Sequence, residues 1–335
     1  MRETDSYIVR QPPYRELKCP VGKMECKPEI RGATMADRGR GLVCLFLVTF
    51  LWGLLLPVGT FAATLTVDDN GLDCPGAPFT TISAAVLGSA PGDTIVVCNG
   101  TYVEQVTINK SVTIMAATGQ TPVVMAPATM AVPKAIMRVT GSGVTVRIEG
   151  LTISGPGASA CDSLESGIRV DGGAHAVIRN NRLSEIRDNP FSSCRNGIAI
   201  LVGKQSEGAT GTATIQTNII QGYQGAGIVV DNTGSRAVIA ENQITGRGAT
   251  SVIAQNGVQV SRGATGEVTA NAISGHLYTG CGEQDAARTG CLRFVAAGLL
   301  LFEAPTTSVS QSGNTFRGNQ SNVVVVTDLL LAPGP

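Results

Sequence analysis

The second half of the chain alternates two short apolar patterns, and neither has the 3.6-residue period of an amphipathic helix. The first is a glycine followed by aliphatics at every second position. It runs Gly167-Ile168-Arg169-Val170, Gly197-Ile198-Ala199-Ile200, Gly227-Ile228-Val229-Val230 and Gly257-Val258-Gln259-Val260, each glycine 30 residues after the last, with a looser copy at Gly298. The second is an aliphatic, two residues, Asn, one residue and an aliphatic. It runs Ile178 to Leu183 around Asn181, Ile215 to Ile220 around Asn218, Ile239 to Ile244 around Asn242 and Val268 to Ile273 around Asn271. A period of 2 sends every second side chain to the same face. Strands this short cannot bury that face alone, so each copy must stack on the next, giving a solenoid with three strands per turn. Val144 to Ile153, with Gly150 and Leu151 in its turn, reads as an earlier coil. A later one around Asn314 carries Gln311 where the aliphatic belongs.

The recurring Asn falls at the tight turn between two strands of one coil, where a left-handed backbone is open to Asn and Gly. Asn181, Asn218, Asn242, Asn271 and Asn314 are expected to stand in one column with their amides bonded as a ladder, a structural role favoured over a polar binding strip by the unvarying aliphatic spacing around them. Upstream, Phe79 to Val86 places Thr80 or Thr81 as a helix cap and Ile82, Ala85 and Val86 on one face, which predicts a helix covering the open end of the first coil. Two strands parted by a turn follow, Pro91 to Cys98 and Asn99 to Ile108. This opening resembles that of pectin methylesterases and of many pectin-lyase-like proteins, and the later coils resemble that group's generic parallel β-helix repeats. The resemblance runs from residue 64 to about 328. It implies an all-β fold, a right-handed parallel β-helix built as a three-sheet solenoid with an N-terminal capping helix, expected as a single domain over residues 63–335.

Composition narrows the core and the partners. With 41 glycines and only 4% aromatics, the core must consist of small and β-branched aliphatics, and 43% apolar against 15% charged residues excludes disorder as the main state. Residues 1–62 hold nine of the 25 basic and six of the 25 acidic residues, which leaves 16 against 19, about −3, for the remainder. No basic stripe is visible, so nucleic acid is not an expected partner. Arg38 and Arg40 precede an apolar run from Leu42 to Val58 and small residues at Ala62 and Ala63, the order of a signal peptide cleaved after Ala62. Residues 1–34 are polar, and Met35 is expected as the true start of this leader. The membrane is met only through this segment, which if uncleaved is near the lower limit for a span. The expected location is secreted, cell-surface or periplasmic.

Six cysteines lie beyond the leader, an even number that suits disulfides in an exported chain. Cys161 and Cys194 fall in loops entering the same sheet on successive coils, about 4.8 Å apart, within reach of one another. Cys281 and Cys291 bracket one loop, and Cys74 and Cys98 remain at the capped end, so the expected pairs are Cys74–Cys98, Cys161–Cys194 and Cys281–Cys291. His175 and His276, in no CxxC or HxxxH pattern, are read as solvated loop residues, and zinc is not expected. Asp68 to Asp73 resembles a calcium loop but lacks the distal bidentate Glu, and a turn leading into the helix is the simpler reading. No metal or cofactor is expected.

In the pectin-lyase-like group carbohydrate lies on the outer face of one sheet, flanked by loops. The resemblance places that face here on the glycine-led strand, because the longest loops precede it: residues 154–166, 184–196, 245–256 and 274–297. With Ile168 and Val170 inward, the outward row reads Arg169 and Asp171, Ala199 and Leu201, Val229 and Asp231, Gln259 and Ser261, Leu300 and Phe302. Hydrolysis needs a carboxylate pair, one acid and one base, and lyases need a base with carboxylates for calcium. The catalytic candidates are Asp171, Asp231 and Arg169. The two aspartates are two coils, roughly 9–10 Å, apart with Leu201 between them, and both also read as ordinary turn openings. The adjacent-aspartate and Gly-His-Gly signatures of polygalacturonases, the Asp-Phe-Ile-Phe-Gly and Arg-Pro-Trp signatures of pectin methylesterases and the calcium motif of pectate lyases are absent, so no catalytic residue carries over. The expected function is a secreted non-catalytic β-helix, structural or polysaccharide-binding. The alternative is a divergent polysaccharide lyase, glycoside hydrolase or uronate epimerase.

Overall fold

The computed structural model describes residues 62–158, 161, 163–280 and 296–326; the leader and the Cys281–Cys291 pair lie outside them. The described strands form three parallel sheets of nine, eight and eight strands, which the chain visits in turn. One coil runs through His175–Arg179 in the first sheet, Arg182–Ser184 in the second and Ile198–Val202 in the third. The architecture is a right-handed parallel β-helix.

Register turns the sequence pattern into columns. In the first sheet Leu65, Ile95, Ile114, Ile148, Ile178, Ile215, Ile239 and Val268 stand on successive coils, one above the next. Each interior side chain of this column, Ile95 to Ile239, is closed off above and below by its neighbours and contributes roughly 1.5–3 kcal/mol of apolar burial. Gln311 follows Val268 in this column and is exposed, so the aliphatic stack ends there. A glycine leads the third-sheet strand because the corner is crowded. A Cβ on Gly227 would lie 2.6 Å from the Gly257 carbonyl oxygen and 2.7 Å from Ile244 Cγ2.

The turn between the first and second sheets corrects one expectation. The left-handed residue is not the ladder Asn but the one before it: Asn180, Thr217, Glu241, Ala270 and Gly313 all have positive φ. The Asn that follows is buried and serves through its amide. In Asn242, Oδ1 accepts from the backbone N–H of Asn218 (2.9 Å), while Nδ2 donates to the Ile215 carbonyl and to Asn271 Oδ1 (2.9 and 3.0 Å). The same links join Asn181, Asn218, Asn271 and Asn314 in one column. The amide of each ladder Asn thereby finds its partners on neighbouring coils of the stack.

The helix spans Ile82–Gly88, with Thr81 as its cap, and buries Ile82, Ala85 and Val86. Both of its ends are held by charge of the matching sign. Glu104 accepts from the backbone N–H groups of Ile82 and Ser83 (2.8 and 2.9 Å), and Lys110 Nζ donates to the carbonyls of Val86, Leu87 and Ser89. An anion at the N-terminus and a cation at the C-terminus oppose the partial charges of the orphan amides and carbonyls.

Candidate functional site

The outer face of the third sheet has a register different from the expected one at a single coil. Ile168 pairs with Ile200, not Ile198, and Arg169 with Leu201, so the coil of Gly197 is shifted by two residues. A slip of two preserves the in-and-out alternation, and the sequence pattern is blind to it. Ala199 thereby takes the corner position of the leading glycine and joins the inner core, Ile198, in register with Ser166 and Ala226, joins Leu201, Ala226 and Val229 in an outer apolar cluster, and the residue between Asp171 and Asp231 is Gly203 rather than Leu201.

Asp171, Asp231 and Arg169 do point outward, yet each is only 1% exposed. Asp171 accepts from Arg138 Nε (3.0 Å) and Arg169 Nε (2.7 Å). The remaining guanidinium nitrogens of Arg169 donate to Glu165 (2.9 Å) and Glu207, and Lys204 bridges Glu165 and Glu207 (2.5 and 2.7 Å). Three cations thus face three carboxylates. Burial works against the charge on Arg169, but Glu207, Glu165 and Asp171 outweigh it and raise its pKa. The hydrogen bond from Arg169, with Lys204 behind it, pulls the carboxyl of Glu207 down to about 2. Asp231 sits apart, accepting from Ser261 Oγ (2.8 Å), Arg262 Nε (2.7 Å) and the backbone N–H of Gln205 (2.8 Å). Arg262 also lies over the Phe302 ring, 6.0 Å from its centroid. Local sequence could not reveal this network, because Arg138, Glu165 and the Lys204–Glu207 pair come from three separate segments.

The histidines differ from expectation. His175 opens the strand His175–Arg179, half-buried, with Nδ1 2.9 Å from Thr212 Oγ1. His276 belongs to the strand Ala272–Tyr278 and is fully buried. The second sheet is longer here than the sequence suggests. Gln243–Thr250 and Ala272–Tyr278 continue into the segments read as loops and pair again from Gly248 with His276 after a register shift. Nδ1 of His276 lies 2.8 Å from Asn319 Oδ1, which can only accept, so Nδ1 carries the proton and Nε2 accepts from the Tyr223 hydroxyl. Burial lowers the His276 pKa to about 4, against the opposing bond to Asn319.

Cys74 is joined to Cys98 and Cys161 to Cys194, with Cα–Cα distances of 6.2 and 5.5 Å. Asp188 lies beside the second pair, its carboxylate within 4.8 Å of both sulfurs.

With this geometry in view, residues 89–329 match the family described as periplasmic copper-binding protein (NosD). The chain belongs to the NosD family. No curated protein matches it. Pectate lyase Pel9A is similar in structure at 15% identity, with 78% of this chain and 77% of the lyase covered and a TM-score of 0.47. An alginate lyase from Paenibacillus sp. str. FPU-7 gives 15%, 79%, 99% and 0.35, and the PL6 family alginate lyase AlyGC gives 14%, 79%, 40% and 0.38. At these identities the likeness is one of fold, and no residue role follows from it.

The NosD description names copper, which thiolate, thioether and imidazole donors hold. His276 is committed to Tyr223 and Asn319, and Met137 is buried in the core. The sulfurs of Cys161 and Cys194 are bonded to each other. With that disulfide closed, these donors do not fit a copper ion.

Proposed function

We propose that this NosD-family chain is an exported, non-catalytic β-helix whose third sheet serves as a rigid binding face, with polysaccharide as its ligand class. The neutralised state of that face carries the reading: Asp171, Glu165, Glu207 and Asp231 are each paired with arginine or lysine. A general base needs a free lone pair and a general acid a proton to give. Glu207, held at about 2, stays ionised at neutral pH, and the raised pKa of Arg169 argues against it as a base. Gln259, Arg262 and Phe302, all half-buried on neighbouring coils, offer hydrogen-bonding groups beside an aromatic ring, the combination that suits a sugar.

The test pairs turnover with binding. Incubated with pectate and alginate, the protein should yield no unsaturated or reducing-end product, and on a glycan array it should retain ligands that Phe302→Ala loses. Product formation abolished by Asp171→Asn or Asp231→Asn would establish the enzymatic alternative. An array with no retained glycan would remove polysaccharide as the ligand.

A further inference from the structure

The geometry points to a docking surface for a second copy of this chain at the last described coil, where Ser321–Val326 pairs antiparallel with its own counterpart about a two-fold axis. The inference is independent of what the third sheet binds. The two ends of the stack differ. At the first coil the helix Ile82–Gly88 packs on Thr64–Val67 and Thr94–Val97 and buries Ile82, Ala85 and Val86. At the other end Val309–Ser312, Thr315–Arg317 and Ser321–Val326 are the outermost strands of their sheets, and no described strand pairs with their free edges. Val323 and Val325 stand in the inward positions that Leu299 and Leu301 fill one coil earlier. They are nevertheless 37% and 41% exposed, where those leucines are 0% and 4%.

An unpaired strand edge is a template for another strand, and folded proteins guard such edges with charge, proline or a bulge. Ser321–Val326 has none of these: it reads Ser-Asn-Val-Val-Val-Val and pairs with Ala297–Phe302 without a register shift. A two-fold axis lays a surface on itself, so a charge near the axis meets its own like. The neutral strand avoids that repulsion. Residues opposite each other in an antiparallel pair share a face of the sheet. Centring the axis on Val324 therefore sets Val323 against Val325 of the second copy, both inward, and carries the aliphatic column of Leu299 and Val323 across the junction. The last coil, residues 309–326, falls just short of the roughly 20–30 residues a side of a standard interface, so the pair forms at high concentration and separates on dilution. Because the axis is normal to the third sheet, the two copies turn that sheet to the same side and present one continuous outer face.

Sedimentation velocity of the native chain, from micromolar to near-millimolar concentration, should show the mass rising to that of two copies. Val323→Lys/Val325→Lys sets ammonium groups against each other across the pair, and should stay at the mass of one copy with an unchanged far-ultraviolet spectrum. Hydrogen exchange of the native chain supplies a readout that needs no variant: the amides of Ser321–Val326 should gain protection as concentration rises, while those of Thr94–Val97 stay constant. A native chain that remains monomeric, masses beyond two copies, or a folded lysine variant that still pairs would overturn the inference. Protection of Ser321–Val326 that does not depend on concentration would overturn it as well, since the edge would then be covered by the chain's own residues 327–335.

Discussion

Asn242 and Ala270 occupy adjacent positions in the equivalent turns of successive coils, and opposite effects are expected on changing them. Asn242→Ala strips the Asn218 N–H and the Ile215 carbonyl of their partner inside the stack, so urea unfolding should show a loss of about 1–3 kcal/mol. Ala270 carries a φ of 55°, a left-handed conformation that costs an ordinary residue roughly 1–2 kcal/mol. Ala270→Gly relieves that cost while adding freedom to the unfolded chain, and the net expectation is a gain of up to about 1 kcal/mol. His276 adds a pH dependence at the same scale. Its folded pKa, near 4, lies below the ordinary value of about 6.5, so between those limits the unfolded chain binds a proton that the folded chain refuses. Stability should fall as pH drops from about 6.5 to 4, by on the order of 3 kcal/mol, and His276→Gln should flatten that slope in denaturation series. Glu207 acts in a lower window, its contribution present above about 4.5 and lost as pH falls toward 2.

Among the elements, the capping helix depends most on residues outside itself. Seven residues are too few to be stable alone, and the helix spans only Ile82–Gly88. Glu104 follows the strand Thr101–Val103 and Lys110 lies just past the strand Val106–Ile108, and they reach back to the helix's opposite termini. Lys110→Ala should cost about 1–2 kcal/mol, seen as faster hydrogen exchange in the helix and in the adjoining strand Thr94–Val97, with distant coils unchanged. The cap was legible as Thr80 or Thr81 from its spacing to the apolar face, and the structure assigns it to Thr81; the partners Glu104 and Lys110 were not legible. The lengthened second-sheet strands were likewise hidden, because Gly246, Gly248 and Gly275 within them read as loop punctuation.

At the scale of the whole molecule, one column tells how far burial rests on the neighbouring coil. Val106, Met137, Ile168, Ile200, Ile228, Val258, Leu299 and Val323 share a single inward position on the third sheet. Leu299 is fully buried, whereas Val323, on the last described coil, is 37% exposed. Leu299→Ala should therefore cost about 2–5 kcal/mol and Val323→Ala less than about 1 kcal/mol, compared by chemical denaturation. Equal costs would mean that the terminal coil is covered as thoroughly as the interior ones.

The period of the apolar positions was enough to set the solenoid, its three sheets and the Asn column, because each depends on side chains that alternate locally and repeat. Three things needed the folded chain. The register of the Gly197 coil depends on which backbone groups bond across coils, and a two-residue slip leaves the alternation unchanged. The candidate carboxylates proved to be neutralised because Arg138 and Arg262 reach them from neighbouring coils, with Arg169 beside Asp171 on the same strand. His276 entered the core because its strand is longer than its glycines suggested, pairing it with Tyr223 53 residues away. Local pattern carries the fold of such a repeat protein, whereas the charge state of its face is a sum over coils that only stacking brings together.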